Sequence, residues 1–384
     1  MNLIEQAIKD VEKNLKTPIK EFLKANAYET QYVVRDEEFL SLQLTELYFE
    51  NFDALQPVFS IAKELDFNYC TFNIDHIVEG LKQFTVLESV LLTVKSIDDI
   101  KPFLQLETIK NLELIIDYEV IPSNTVILSF KDLKSIESLR LYSYNVDTEK
   151  MFVFRGAENL TRLEKLSIEC DCIIEELNKF RNLKYLKTES IQLQTTERMD
   201  SLETLDIIAL KDNYTIHSLE QFPNLKNLRI SQCNQINLGE LKKLKVLSIS
   251  SRDFELEKST AFENLPELEQ LEFHECKITE IKNLKKLPNL KVLNLLENYT
   301  IENIEEIEIL KNLEFVNLNS NNISDIRVLN KLPKLKEVNV GENPITKEEV
   351  NKQLERPEIA AFLYLPWRPA SDMPFDIWKR IDSL

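Results

Sequence analysis

The sequence predicts an α/β solenoid, a stack of short strand-and-return coils, and three observations predict it. An apolar grid at offsets 0, 3 and 5 recurs along the chain. A small polar or thiol residue follows at offset 8 in many copies. One such unit is too short to bury its own apolar face, so copies must stack to close a core.

In "LEFVNLNSNNISDIRVLNKL", residues 313–332, Leu313, Val316 and Leu318 set the grid and Asn321 stands at offset 8. The same grid starts at Leu44, Ala62, Leu87, Ile109, Ile136, Leu163, Leu183, Leu202, Leu225, Leu244, Leu268, Leu290, Leu313 and Leu335, at spacings of 18 to 27 residues. Of the 42 positions at offsets 0, 3 and 5 only Thr188 is not apolar, so burial sets the repeat.

The elements follow in chain order. Residues 1–43 are expected to cap the array, since an open end coil would expose its core. Ile4, Ala7, Ile8, Val11, Leu15, Ile19, Phe22 and Leu23 keep a helical spacing that Pro18 interrupts, which predicts two short helices. Residues 44–345 form the solenoid, about fourteen repeats. Offsets 3 and 5 alternate with polar neighbours, the two-residue period of a strand with one buried face. In the C-terminal copies the apolar run continues through Ile278, Ile281, Leu284, Leu287 and Leu290, a three-residue step that predicts a 3₁₀ return.

Offset 8 holds Cys70, Asp117, Asp171, Cys233, Cys276, Asn298, Asn321 and Asn343, side chains that can satisfy backbone groups inside a turn. Phe52, Lys95, Tyr144, Ile191, Leu210 and Arg252 break the rule, and their coils are expected to turn differently. Residues 346–384 close the array. "TKEEVNKQLE" predicts a helix with Thr346 as N-cap and Glu349 completing a capping box. The tail beyond carries Phe362, Tyr364, Trp367, Phe375 and Trp378, which either plug the last coil, dock a partner or stay disordered.

The grid resembles the leucine-rich repeat, L-x-x-L-x-L-x-x-N/C-x-L. "LPNLKVLNLLENYTIENI" and "LPKLKEVNVGENPI" are similar to the internalin-like and phosphatase-regulator class of about 22 residues per repeat. The resemblance covers residues 44–345, more regular after Leu225 and degenerate before Leu183. It implies a horseshoe with a parallel β-sheet along the concave face, a 3₁₀ or irregular convex side and helical caps. It also implies recognition of another protein, or by family analogy the regulatory subunit of a phosphatase-like enzyme; an effector acting through its C-terminal segment is a further alternative.

Composition narrows the function. Lys+Arg 47 against Asp+Glu 65 gives a net charge of −18, which repels phosphate backbones and anionic lipid, so neither nucleic acid nor membrane is the expected partner. Only 4 glycines leave little material for phosphate-cradling loops. The N-terminus lacks the charge and apolar pattern of a secretion signal, no 18-residue apolar run occurs, and five cysteines show no framework spacing. A cytoplasmic location is therefore expected. His76, His217 and His274 stand at no metal-ligand spacing with each other, and Cys170 and Cys172 flank the inward position of Asp171 as ordinary thiols. No catalytic residue, cofactor, metal or obligatory small molecule is expected, and the chain is not expected to be an enzyme.

Offsets 2, 4 and 6 face out, and fourteen strands about 4.8 Å apart give a face about 60 Å long. Its first two coils present Glu46, Tyr48, Glu50, Glu64, Asp66 and Asn68, an acidic end that a basic or mixed-charge partner would oppose. The middle coils hold Arg140, Lys165, Lys187 and Arg229 with Tyr142 and Tyr185, and Phe315 stands near the end beside a column of Asn294, Asn317 and Asn339. Arg140, Tyr142, Tyr185 and Arg229 are the expected anchors, with Lys165 and Lys187 steering and Tyr48 and Phe315 completing the surface. The alternative is a solvated face whose charges pair with strand neighbours, Lys187 with Glu169 for example.

Overall fold

The computed structural model describes residues 3–21, 29–35, 39–94, 108–116, 125–129, 135–143, 151–169, 172–188, 197–208, 215–216, 219–236, 238–254, 265–279 and 281–363. They fall into two compact units, Met1–Thr195 and Thr196–Leu384. Each is a stack of coils in which one short strand joins a parallel sheet.

The first unit opens with the helix Leu3–Leu15, whose Ile4, Ala7, Ile8 and Val11 are buried. Of the second helix expected after Pro18, only residues 19–21 are described and they are extended; Phe22 and Leu23 lie outside the described residues. Ile19 donates its backbone N–H to Glu12 Oε1 at 2.7 Å, and the chain enters a strand, Lys20–Glu21, parallel to Gln31–Arg35. Proline restricts the residue before it and has no N–H to continue a helix, so an extended exit is the cheaper path.

Gln31–Arg35 turns back antiparallel onto Phe39–Thr45. Phe39–Thr45 is the first strand of the stack, followed in parallel by Ala62–Asn68, Ser89–Val94, Asn111–Ile116, Ser138–Ser143, Lys165–Glu169 and Tyr185–Thr188. Leu42 and Leu44 lie opposite Leu65 and Phe67, so Leu44 takes offset 5 in the first coil rather than the expected offset 0. The pattern permitted both registers, because Leu47 and Phe49 repeat the two-residue spacing of Leu42 and Leu44. What decides is Glu46 at φ 56°, which ends the strand and sends Tyr48–Phe49 into a separate two-stranded sheet with Thr71–Phe72.

The returns of this unit vary. The first is a 3₁₀ turn, Asp53–Val58, and the second an α-helix, Ile74–Leu81. Later ones are strands: Thr125–Ser129, Met151–Arg155 and Cys172–Ile174 form a three-stranded parallel sheet of their own. Their sequences, TVILS, MFVFR and CII, are rich in β-branched and aromatic residues, which favour an extended return. Buried Phe52, at offset 8 from Leu44, sits in an aromatic core with ring centroids 5.2 Å from Phe67, 5.5 Å from Phe49 and 6.3 Å from Phe84. Gly80 is required beside it, since a Cβ there would run into the Phe52 ring.

The second unit stacks Thr204–Ile208, Asn227–Ser231, Val246–Ser250, Gln270–His274, Val292–Asn294, Phe315–Asn317, Glu337–Asn339 and Ala360–Phe362, all parallel. Its later returns are the expected 3₁₀ turns, Lys282–Lys286, Glu305–Ile309 and Arg327–Lys331. Ile278, Ile281, Leu284, Leu287 and Leu290 are all buried. The helix Lys347–Gln353 follows, with the Thr346–Glu349 capping box in place. No described helix is long and apolar enough to cross a membrane.

The offset 8 residues perform the expected bonding where they are described. Asn321 Nδ2 donates to the carbonyls of Leu295, Leu318 and Asn319 at 2.8, 2.9 and 3.2 Å. Asn343 reaches Leu318, Val340 and Gly341 in the same way, and Asn298 reaches Phe273 and Leu296. Cys70 and Cys276 place their thiols on the carbonyls of Leu44 and Ile249. Arg252 instead points to solvent and pairs with Glu275 at 2.7 Å. Asp117, Asp171, Lys95, Tyr144, Ile191 and Leu210 lie outside the described residues, as do Tyr364, Trp367, Phe375 and Trp378.

A corner precedes each of these rungs. Tyr69, Gln232, Glu275, Glu297, Ser320 and Glu342, all at offset 7, have φ between 50° and 60°. A left-handed non-glycine residue costs about 1–2 kcal/mol, and here it turns the chain so that the next side chain points inward. The few glycines of the chain leave this work to ordinary residues.

Candidate recognition surface

Strand registry places five of the expected anchors on three adjacent strands of the first unit. Ser138, Lys165 and Tyr185 form one outward row, Arg140, Ser167 and Lys187 the next, and Tyr142 stands level with Glu169. Arg229 and Phe315 lie on the sheet of the second unit, Arg229 opposite Asp206 and Phe315 opposite Val292 and Glu337. Tyr48 is not on this face. Its strand pairs only in the small separate sheet, where its hydroxyl donates to Glu50 Oε2 at 2.6 Å. Glu46 and Glu50 leave the face with it, and the first coil presents Ser41 and Gln43 instead, beside Glu64 and Asp66.

The cations are already engaged within the chain. Arg140 bridges two carboxylates, Glu113 at 2.9 Å and Glu169 at 2.7 Å, while its guanidinium lies 5.6 Å from the Tyr142 ring centroid. Lys187 reaches the same Glu169 oxygen at 3.2 Å, and Ser167 Oγ donates to it at 3.2 Å. Arg229 pairs at 3.0 Å with Asp206, whose side chain is fully buried. The paired-charge alternative thus describes Arg140, Lys187 and Arg229. Lys165 differs: it forms no ion pair with a described residue, and burial pulls its ammonium below the usual lysine range. Phe315 is half-buried with Lys336 Nζ 5.7 Å from its ring centroid.

Charge balance fails at Asp66. It occupies the central outward row, between Gln43 and Leu91, with Glu113 the next residue across. One of its oxygens meets the Asn68 backbone N–H; Oδ1 is buried without a hydrogen bond. Burial, then the charge of Glu113, raises the Asp66 carboxyl to about 7. Burial also raises Glu113, against the pull of Arg140. Neither Glu64 nor Asp66 makes an ion pair with a described residue. In the second unit Glu272, raised by burial, is compensated by Gln270 and Ser248 hydrogen bonds and by Arg229.

The asparagine column is a local device. Asn294, Asn317 and Asn339 each accept through Oδ1 from the backbone N–H two residues on, at 3.1, 3.1 and 3.0 Å. The described thiols, Cys70, Cys233 and Cys276, are free and buried, and burial pushes each up to about 12, so they are poor nucleophiles at neutral pH. Cys170 lies outside the described residues, and the side chain of Cys172 with it.

Sequence reasoning passed over two features. Asp66 was only one acid in a row of acids; its isolation from cations depends on which neighbours the register supplies. His274 was judged against other histidines, whereas its near neighbours are Glu275 and Glu297, one coil apart at the same offset. The repeat spacing itself carried that signal.

Residues 266–308 and 311–352 match a family of repeats described as Leucine Rich repeats (2 copies). No curated protein matches the chain. Among solved structures, an internalin, InlF, of Listeria monocytogenes is 16% identical, covers 94% of each chain and superposes with a TM-score of 0.47. A leucine-rich repeat protein of Leptospira interrogans is 20% identical over 80% of this chain and 91% of its own, with a TM-score of 0.40.

Proposed function

We propose that this leucine-rich repeat protein is a non-catalytic recognition module whose outward sheet face takes a basic segment of another protein. The observation that carries the reading is Asp66, a carboxylate in the middle of an outward row with a buried oxygen that lacks any donor. A buried carboxylate with an unmet acceptor costs about 1–3 kcal/mol, and a lysine or arginine laid over this row from outside offsets part of that cost through its charge. Glu64 beside it and Glu113 beyond Leu91 extend the acidic stretch. Lys165, Tyr142 and Tyr185 supply the adjoining contact area, with the Arg140 and Lys187 pairs holding that region rigid. The net charge of −18 favours such a partner over nucleic acid or a membrane surface, and the cytosol is the setting we propose for it.

Protonation gives the reading a signature. Asp66 is about half protonated near pH 7 when free and must ionise to meet a cation, so binding releases protons and tightens as pH rises from 6 to 8. The experiment is capture of a partner from the native cell, followed by its affinity for Asp66→Asn, Glu113→Gln and Arg229→Gln proteins. Asp66→Asn is expected to weaken the partner at least ~10-fold and to remove the pH dependence. Arg229→Gln in the second unit is expected to leave affinity intact. A partner indifferent to Asp66 and Glu113 removes this face from the account.

A further inference from the structure

We propose that His274, Glu275 and Glu297 form a binding site for a divalent transition-metal ion, with zinc the best match, at the rim where two strands of the second unit end. One ligand atom from each of the three lies within 4.8 Å of the others, and among the described residues this is the one such group. His274 Nε2 stands 3.2 Å from Glu297 Oε2, close to the spacing of two ligands around one tetrahedral ion. Glu275 and Glu297 are also within hydrogen-bonding reach of each other.

The three positions are fixed by what lies beneath them. Glu275 and Glu297 occupy left-handed corners at φ 51° and 57°, and the residue after each is a buried rung. Those rungs bond to one another: Cys276 donates its N–H to Asn298 Oδ1 at 3.1 Å, and Asn298 Nδ2 donates to the Phe273 carbonyl at 3.0 Å. Glu275 further donates its N–H to the Leu296 carbonyl at 3.3 Å, tying its corner to the next coil. Arg252 Nε donates to Glu275 Oε2 at 2.7 Å and so restrains that carboxylate.

The donor set selects the ion. One imidazole and two carboxylates suit zinc with a fourth position open to water or to a partner's side chain, whereas magnesium and calcium prefer oxygen alone. The side chains are 40%, 30% and 27% exposed, so an ion reaches them without unfolding the coil. His76 provides an internal contrast, 3.7 Å from the carboxylate of Glu50 and in no such group among the described residues.

The test is calorimetric titration of metal-free protein with ZnCl₂, with MgCl₂ in parallel, and a thermal melt of each sample. Wild type is expected to bind one zinc and melt higher with it, and magnesium to do neither. His274→Ala and Glu297→Gln are each expected to weaken zinc at least ~10-fold and to abolish the melting shift, while His76→Ala changes nothing. The half-exposed positions let both variants fold, which the melts without metal check. Absence of zinc binding by wild type, or binding that survives His274→Ala combined with Glu297→Gln, overturns the assignment.

Discussion

The two units use the same coil and fill it differently. In the second, the turns after Val292–Asn294, Phe315–Asn317 and Glu337–Asn339 are closed by polar rungs, and Asn298, Asn321 and Asn343 all donate back to backbone carbonyls. In the first, the corresponding space near the start of the stack holds rings: Phe49, Phe52, Phe67, Phe72 and Phe84 pack edge-to-face or stacked. Polar rungs satisfy the backbone and allow a coil to repeat its neighbour, and the returns of the coils that carry Asn298 and Asn321 are 3₁₀ turns. A ring satisfies no carbonyl, and the returns of the first unit are mixed: a 3₁₀ turn at Asp53–Val58 directly after Phe52, a helix at Ile74–Leu81, and strands at Thr125–Ser129, Met151–Arg155 and Cys172–Ile174. Leucines are shared by both units; the asparagine rungs are not.

The sharpest way to break this contrast is truncation in each core. Phe52→Ala is expected to cost about 3–5 kcal/mol, because its four aromatic neighbours cannot all collapse into the space. Asn321→Ala removes far less volume and leaves three carbonyls without their shared donor, for an expected loss of about 2–3 kcal/mol. Cys70→Ala, at the matching offset in the first unit, is expected to cost only about 1 kcal/mol, since a thiol is a weak donor. Chemical denaturation of the three variants ranks them; equal costs for Asn321 and Cys70 would dissolve the contrast.

Smaller effects separate paired from unpaired charge on the outward face. Arg140→Ala leaves Glu113 and Glu169 without their common cation and is expected to lose about 2 kcal/mol. Lys165→Ala, on the neighbouring strand, is expected to stay within about 0.5 kcal/mol, because no described partner loses a bond. Differential scanning calorimetry on the two proteins distinguishes them.

Much of the fold is legible in the sequence, for a physical reason. Offsets 0, 3 and 5 are enforced by burial in every coil, and the capping box at Thr346 and the 3₁₀ step from Ile278 to Leu290 are local. Register at the first coil is not local. Leu42 and Leu44 compete with Leu47 and Phe49 for the same pattern, and the corner at Glu46 with the pairing to Gln31–Arg35 and Ala62–Asn68 decides. That slip displaced Tyr48, Glu46 and Glu50 from the face. The return strands escaped because the grid describes what faces the core of one coil, while TVILS and MFVFR pair with strands of the coils beside them. The same limit governs the surface: Arg140 and Arg229 read as open anchors in sequence and are ion-paired in the fold, whereas Asp66 read as one acid among many.

Asp66 is where the account is most exposed, because its Oδ1 lacks a donor on a face whose basic residues are largely paired. Its raised value also fixes a sign. A carboxyl held near 7 in the fold and near 3.8 unfolded favours folding below pH 4, and that contribution is lost as pH rises through 7. Asp66→Asn is therefore expected to stabilise the protein by roughly 1–3 kcal/mol at pH 8 and to be nearly neutral at pH 4. The most direct measurement is an NMR titration of the Asp66 carboxyl carbon, in free protein and with the captured partner bound. The account predicts a midpoint of about 7 in the free protein that falls sharply on binding. A free midpoint in the ordinary aspartate range, or one that the bound partner leaves unmoved, would contradict it.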